Sequence, residues 1–358
     1  MWNVYLGYFL VSFFLSVVLT AGVYALMYKL QIVDRPRANG RKIHKKRIPL
    51  GGGLAIFLSF FAVAFSVLYS GGLLGNDITS RHLLGLFLGG AVLMVGGFLD
   101  DKYTMPAKHQ IWFPVLAALL MIGFGIGPHA VSNPFGGGML ALDQWVISLG
   151  SFGNIILLAD FLVFFWLMGM MLTTKLLDGL DGLVTGIVSI GAIMIFFVSR
   201  QPAWLQPEVG LLSLIFAGAC LGFLLWNFYP AKIFLGQGGS LFTGFLLGSL
   251  AIISGSKIAT TLLVVGIPML DVLRVVIRRH QKKQSIVTGD KEHLHFQLLH
   301  SGFSQRQAVL LFYAIALLFG LTALFLQDRQ QLIALFFLLA LMVVAGFWVA
   351  RGEQKKEV

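Results

Sequence analysis

Long apolar runs broken by short polar stretches set the pattern of this chain. Runs of about 18 or more apolar residues recur from end to end, and a helix of that length crosses a hydrocarbon layer about 30 Å thick. The pattern predicts eleven spans, at roughly 3–29, 51–70, 82–99, 111–127, 155–174, 182–199, 210–227, 241–254, 258–277, 307–326 and 330–350. Ten is the alternative count, because 241–254 is short and the stretch 128–154, with NPFGGG, reads as an irregular loop. The expectation is an all-α polytopic membrane protein, one domain over residues 1–358, with a polar loop at 274–306 and a tail at 351–358. The first run lacks a basic start and a cleavage site, so it reads as a retained span rather than a removed leader.

Composition agrees and adds sidedness. The 358 residues are 58% hydrophobic and 11% charged, against about 25% charged in a soluble domain. Mean hydropathy is +0.87. The one cysteine, Cys220, lies in an apolar run and can form neither an internal disulfide nor a cysteine cluster for metal. If the N-terminus faces out, all of the 26 Lys and Arg fall on inside segments except Arg81, Arg200, Lys257 and Arg329. The positive-inside rule therefore predicts N-out and C-in. The net charge of +11 is then a basic membrane face that meets lipid headgroups, and it implies no nucleic-acid partner.

The acids sharpen the picture, because a carboxylate at a membrane edge is costly and marks a site by default. Asp100 and Asp101 end an apolar run in FLDDKY, and two adjacent carboxylates suit a hard divalent cation. Asp178 and Asp181 sit in LLDGLDGL, three residues apart, a spacing that shares one face of a helix. Asp271 lies inside a span, in PMLDVLRVV. The plain alternative for any one of these is a helix cap or a partner for a nearby lysine. All of them fall on the side predicted to face in.

Three further stretches share that side. In NFYPAKIFLGQGGS, Asn227 and Lys232 lead into Gly238, Gly239 and Ser240. Successive backbone N–H groups in such a turn form an anion nest, with Ser240 as cap or phosphate donor, although close helix packing explains the glycines equally well. The strip RKIHKKRIPLGGG carries His44 among cations and suits a lipid phosphate. In DKEHLHFQLLHSG, His293 and His295 alternate beside acids, a pattern that suits metal, phosphate or sugar. Zinc is disfavoured for want of a tetrahedral N/S set. Together these pieces point to a site that handles diphosphate by positioning and charge.

In order and identity these motifs resemble the polyprenyl-phosphate N-acetylhexosamine-1-phosphate transferases, glycosyltransferase family 4, over about residues 34–306. The DKEHLHF loop is more similar to the branch using undecaprenyl phosphate and GlcNAc-1-phosphate than to the phospho-MurNAc-pentapeptide translocases. The resemblance implies transfer of a sugar 1-phosphate, GlcNAc-1-phosphate by expectation, from a UDP-sugar to undecaprenyl or another polyprenyl phosphate. It implies release of UMP and dependence on Mg²⁺, with Mn²⁺ as a substitute. It places the enzyme in the cytoplasmic membrane among lipids, with its site facing the cytoplasm, and leaves a homodimer open.

Carried over by residue, Asp100, Asp101, Asp178 and Asp181 match the catalytic acids, with Asp100 the favoured proton acceptor. Asp101, Asp178 and Asp181 are the implied metal ligands. Lys108 matches the lysine after the acid pair, and His293 and His295 match the loop histidines that hold the donor. Three departures stand out. Leu172 and Lys175 replace two asparagines, and Lys175 is expected to meet phosphate as a cation. Phe296 replaces a third histidine. Gln237 occupies the position of an acid expected to bind Mg²⁺, where a neutral amide is a weaker ligand. Beside an active transferase, an inactive variant of the same enzyme and a membrane transporter remain as readings. The transporter predicts inverted repeats, which are not evident in the chain.

Overall fold

The computed structural model describes residues 2–36, 46–70, 73–75, 78–127, 130–132, 139–142, 145–148, 154–202, 205–253, 258–281, 293–326, 330–331, 333–340 and 344. His44, residues 282–292 of the 274–306 loop, the tail at 351–358 and much of the eleventh expected span lie outside these residues.

The helices are α1 (Trp2–Lys29), α2 (Gly53–Ser70), α3 (Ser80–Tyr103), α4 (Ala107–Gln110), α5 (Trp112–Gly123) and α6 (Leu157–Leu177). They continue as α7 (Leu183–Val198), α8 (Pro207–Asn227), α9 (Gly236–Ile253), α10 (Ile258–Gln281), α11 (Leu294–His300) and α12 (Gln305–Phe325). Among the described residues, eight helices are long and apolar enough to cross a membrane: α1, α2, α3, α6, α8, α9, α10 and α12. Two shorter apolar helical stretches, Ala107–Gly123 and Leu183–Val198, coincide with two further expected spans. The short strands are β1 (Val33–Asp34), β2 (Ile48–Pro49), β3 (Ala130–Ser132), β4 (Met139–Ala141), β5 (Val146–Ser148) and β6 (Asn154–Ile156). They pair as three antiparallel hairpins, β1 with β2, β3 with β4 and β5 with β6, which the all-α expectation lacked.

The bundle is built as a membrane demands, with polar groups turned inward and apolar groups outward. On α1 the buried positions include Tyr5, Ser12, Ser16 and Thr20, while Trp2, Leu6, Phe14 and Val18 are exposed. Ser12 and Ser16 donate to the carbonyls of Ile215 and Ala219 on α8, at 2.8 and 2.6 Å. Gly218 and Gly222 make that approach possible: a Cβ on either would stand 2.5 Å from the Phe9 oxygen or 2.3 Å from the Phe13 oxygen. Lipid tails are as apolar as leucine, so helices associate here through small residues and hydrogen bonds rather than through hydrophobic burial alone.

The helix α9 runs through the centre and is buried along nearly its whole length. It starts at Gly236, so GQGGS forms the first helical turn rather than a free loop ahead of a span at 241. Glycines are poor helix formers, but here their missing side chains allow two backbones to touch. A Cβ on Gly97 of α3 would lie 2.0 Å from the Gly238 nitrogen, and one on Gly53 of α2 would lie 2.0 Å from the Gly239 Cα.

The first prediction concerns this contact. Gly97→Ala is expected to lower stability by about 1–3 kcal/mol, because neither backbone can yield to the new methyl. Gly7→Ala, with no atom within 4 Å of the added Cβ, is the neutral control. Thermal unfolding of the detergent-solubilised variants measures both.

Candidate active site

Six of the sequence-predicted residues line one cavity of about 1220 Å³ at one end of the bundle: Asp101, Asp178, Asp181, Asn227, Lys232 and Gln237. The end of α3, the α6–α7 turn, the segment after α8 and the start of α9 meet there.

Asp101 enters from the last turn of α3. Its carboxylate accepts the Gln237 backbone N–H at 3.2 and 3.3 Å through its two oxygens. An acid at a helix start satisfies an orphan donor and the positive end of the dipole. The anion nest expected from FLGQGGS is thus filled by the protein's own carboxylate. Gly236, at φ +78°, makes this fit possible, since a Cβ there would come within 2.6 Å of Asp101 Oδ2.

The DGLDG segment is a turn rather than a helix, so its two acids meet by a tight reversal and not by an i, i+3 face. Gly182, at φ +80°, starts α7 in the left-handed region that glycine adopts without strain. Asn227 locks the turn from α8. Its Oδ1 accepts from the Gly182 N–H and the Thr185 hydroxyl, both at 3.1 Å, and its Nδ2 donates to the Ile233 carbonyl at 3.0 Å. Asn227, expected to bind substrate, lines the cavity, and these protein bonds make it position the loop. Asp181 Oδ2 accepts the Ala231 N–H at 2.9 Å, which ties the turn to NFYPAK.

Asp178 lies deep in the protein but opens onto the cavity, where its side chain is exposed. Burial, and then the charges of Asp101 and Asp181, push its carboxyl from the ordinary 3.8 up to about 7. Three acids that repel one another around one cavity invite a cation. Among the described residues no three His, Cys, Asp or Glu side chains converge closely enough to hold an ion by themselves. Gln237 shares the cavity, and its side-chain Nε2 is buried without a partner. This oxygen-rich donor set fits a hard cation that takes its remaining ligands from phosphate and water, as Mg²⁺ commonly does.

The other expected site residues lie elsewhere. Asp100 Oδ1 accepts from the Met105 N–H and the Gln110 amide, each at 2.8 Å, and Lys175 donates to the same amide's oxygen at 2.7 Å. Asp100 and Lys175 therefore pin the α3–α4 turn to α6 and are absent from the cavity lining. Lys108 sits exposed on α4, also outside the lining. Gly238 and Gly239 serve helix packing and border a separate apolar cleft beside Asp101. The Ser240 hydroxyl is turned back onto the Gln237 carbonyl at 3.1 Å. His293 and His295 are buried on or beside α11, and only Phe296 of that helix reaches the cavity. Burial lowers the His295 ring to about 3, so it is neutral.

The structure also brings in residues the sequence reading did not assign to the site. Tyr24 and Tyr28 of α1 and Trp226 of α8 form an aromatic wall, with ring centroids 5.1 Å apart for the tyrosines and 6.1 Å for Tyr24 and Trp226. Lys232 lies over Trp226, 5.2 Å from its centroid. Asp34, Lys46 and Arg47 complete the rim. Lys46 and Arg47 were visible as part of a cationic strip, whereas nothing in the local pattern marked the aromatics.

With divalent cations removed, stability is expected to fall as pH rises from about 4 to about 7 and then to level off. The folded state keeps the Asp178 proton that the unfolded chain releases near its ordinary 3.8. Thermal melts in chelator across that range should show the slope, and Asp178→Asn should reduce it.

Comparison with known proteins places the chain in a family. Residues 83–255 match the family model described as glycosyl transferase family 4. The chain is 31% identical over 342 residues to the probable undecaprenyl-phosphate N-acetylglucosaminyl 1-phosphate transferase of Bacillus subtilis, covering 94% of this chain and 88% of that one. It is 30% identical over 356 residues to the decaprenyl-phosphate N-acetylglucosaminephosphotransferase of Mycobacterium tuberculosis, covering 91% and 83%. A phospho-N-acetylmuramoyl-pentapeptide-transferase of Prochlorococcus marinus is more distant, 28% identical over 348 residues, with 91% of each chain covered.

Proposed function

The chain belongs to glycosyl transferase family 4, and from that premise we propose that it transfers GlcNAc-1-phosphate from UDP-GlcNAc to undecaprenyl phosphate. The carrying observation is that Asp101, Asp178 and Asp181, from motifs far apart in sequence, line one cavity beside Lys232, Arg47 and an aromatic wall. A cavity of about 1220 Å³ exceeds the roughly 300–1,000 Å³ of an ordinary single-ligand pocket. It has room for a nucleotide sugar together with a lipid phosphate.

In this reaction an oxygen of the lipid phosphate bonds to the β-phosphorus of the donor. The bridge between the two donor phosphorus atoms breaks, and UMP leaves with the bonding electrons. Little covalent chemistry falls to the protein, so positioning and charge carry the rate. Lys232 and Arg47 offer cations to the phosphates. Asp101, which lines the cavity from the last turn of α3, replaces Asp100 as the acid able to take a proton from the attacking phosphate. Asp101, Asp178 and Asp181 would hold a magnesium ion, with Gln237 as a weak fourth partner. When bound, that ion supplies positive charge against the diphosphate. The site would face the cytoplasm of a cytoplasmic membrane, where UDP-sugars are made.

Gln237 favours a second reading, in which this site is weakened. Its amide leaves a buried Nε2 without a partner at the place where an acid would face the cation.

Purified protein given UDP-GlcNAc, undecaprenyl phosphate and magnesium is expected to release UMP. Asp178→Asn and Asp181→Asn should each cut the rate about a hundredfold. Failure of every UDP-sugar in a panel to yield UMP overturns the active reading. A rise in rate with Gln237→Glu supports the weakened site, and no rise removes it.

A further inference from the structure

Asp271 is an acid within a spanning helix that the proposed chemistry does not use. It lies on α10, 3% exposed, three residues after Pro268. Its Oδ1 accepts from Arg274 at 2.8 Å. Its Oδ2 accepts from His293 Nδ1 at 2.9 Å and from the Leu294 N–H at 3.0 Å. An ionised carboxylate only accepts, so the proton in the His293 contact sits on Nδ1. One buried charge thereby holds both the ring of His293 and the first N–H of α11.

The contacts continue inward. His293 stacks on His295, with centroids 5.5 Å apart and planes 8° from parallel. His295 lies against the DGLDG turn, where a Cβ on Gly179 would come 2.4 Å from its Nε2. Among the described residues neither ring nitrogen of His295 has a partner, so packing seats the ring. Its neighbour Phe296, with ring centroids 4.3 Å apart, forms part of the cavity wall.

We propose that Asp271 is a positioning residue that latches α11 onto the DGLDG turn and so shapes the donor side of the cavity. This rests on the transferase reading above. If α11 lifts away, Oδ2 loses two donors at once and a buried carboxylate is left half paired, which is expensive. The latch therefore favours the closed arrangement. It acts on the donor rather than the acceptor because α11 lies outside the spans. A water-soluble nucleotide sugar arrives from that aqueous side, whereas the acceptor's chain stays among the spanning helices.

The test compares wild type with Asp271→Asn, which keeps shape and one acceptor oxygen. With UDP-GlcNAc and undecaprenyl phosphate, KM for the nucleotide sugar should rise about tenfold while KM for the lipid stays unchanged. Amide hydrogen exchange over 293–300 should quicken while that of α9 does not. Asp271→Glu should restore part of the donor KM, and a merely structural role would not produce that split. Equal changes in both KM values, or unchanged exchange at 293–300, overturn the proposal. A wild-type protein inactive with every donor overturns the transferase reading instead, and the exchange experiment still decides the latch.

Discussion

The working end of this protein depends on the junction of α3 and α9. Gly97 and Gly238 bring the two backbones into contact, and one turn farther on Asp101 accepts the Gln237 N–H. The two features need each other. Without the glycines the helices could not approach, and without the carboxylate a buried helix start would face its neighbours with an unpaired donor. The same junction sets the height at which the cavity begins. It also directs an acid toward Asp178 and Asp181, whose turn is held by Asn227 from the other side.

Charge in the cavity follows from that geometry. Asp178 sits deep at the cavity wall beside like charges, and desolvation and those charges push its carboxyl up to about 7 in the absence of a cation. Acids placed in this way cost stability, and a fold keeps them where their charge is put to use. Lys232 and Arg47 on the facing rim make the cavity two-signed. Substrates that carry both phosphate and a flat or apolar part suit such a cavity, because an aromatic wall lines it together with the charges.

Much of the site was legible from residue types at the span ends. FLDDKY, LLDGLDGL and NFYPAKIFLGQGGS announced acids and glycines on one side of a membrane, and Asp101, Asp178, Asp181, Lys232 and Gln237 do share a cavity. Which acid of an adjacent pair faces inward was not legible. Asp100 and Asp101 differ by one residue on a helix, so about 100° of rotation separates a cavity acid from one that pins the Met105 turn. The glycines were ambiguous for the same reason. A Gly-rich turn can cradle an anion or admit a neighbouring backbone, and only the neighbour's position decides.

By itself, the sequence determined the membrane character, most of the apolar helices and the gathering of the acids at the span ends; of eleven expected spans, eight are long apolar helices and two are shorter ones among the described residues. Those properties follow from hydropathy and charge summed over many residues, so no single contact can overturn them. The tertiary structure decided the roles: Asn227 as a lock, Asp100 and Lys175 as a brace, Gly238 and Gly239 as a packing surface, Asp271 as an anchor for α11, and Tyr24, Tyr28 and Trp226 as a wall. Each role depends on what stands within about 3–5 Å of one side chain, and those neighbours come from helices distant in the chain.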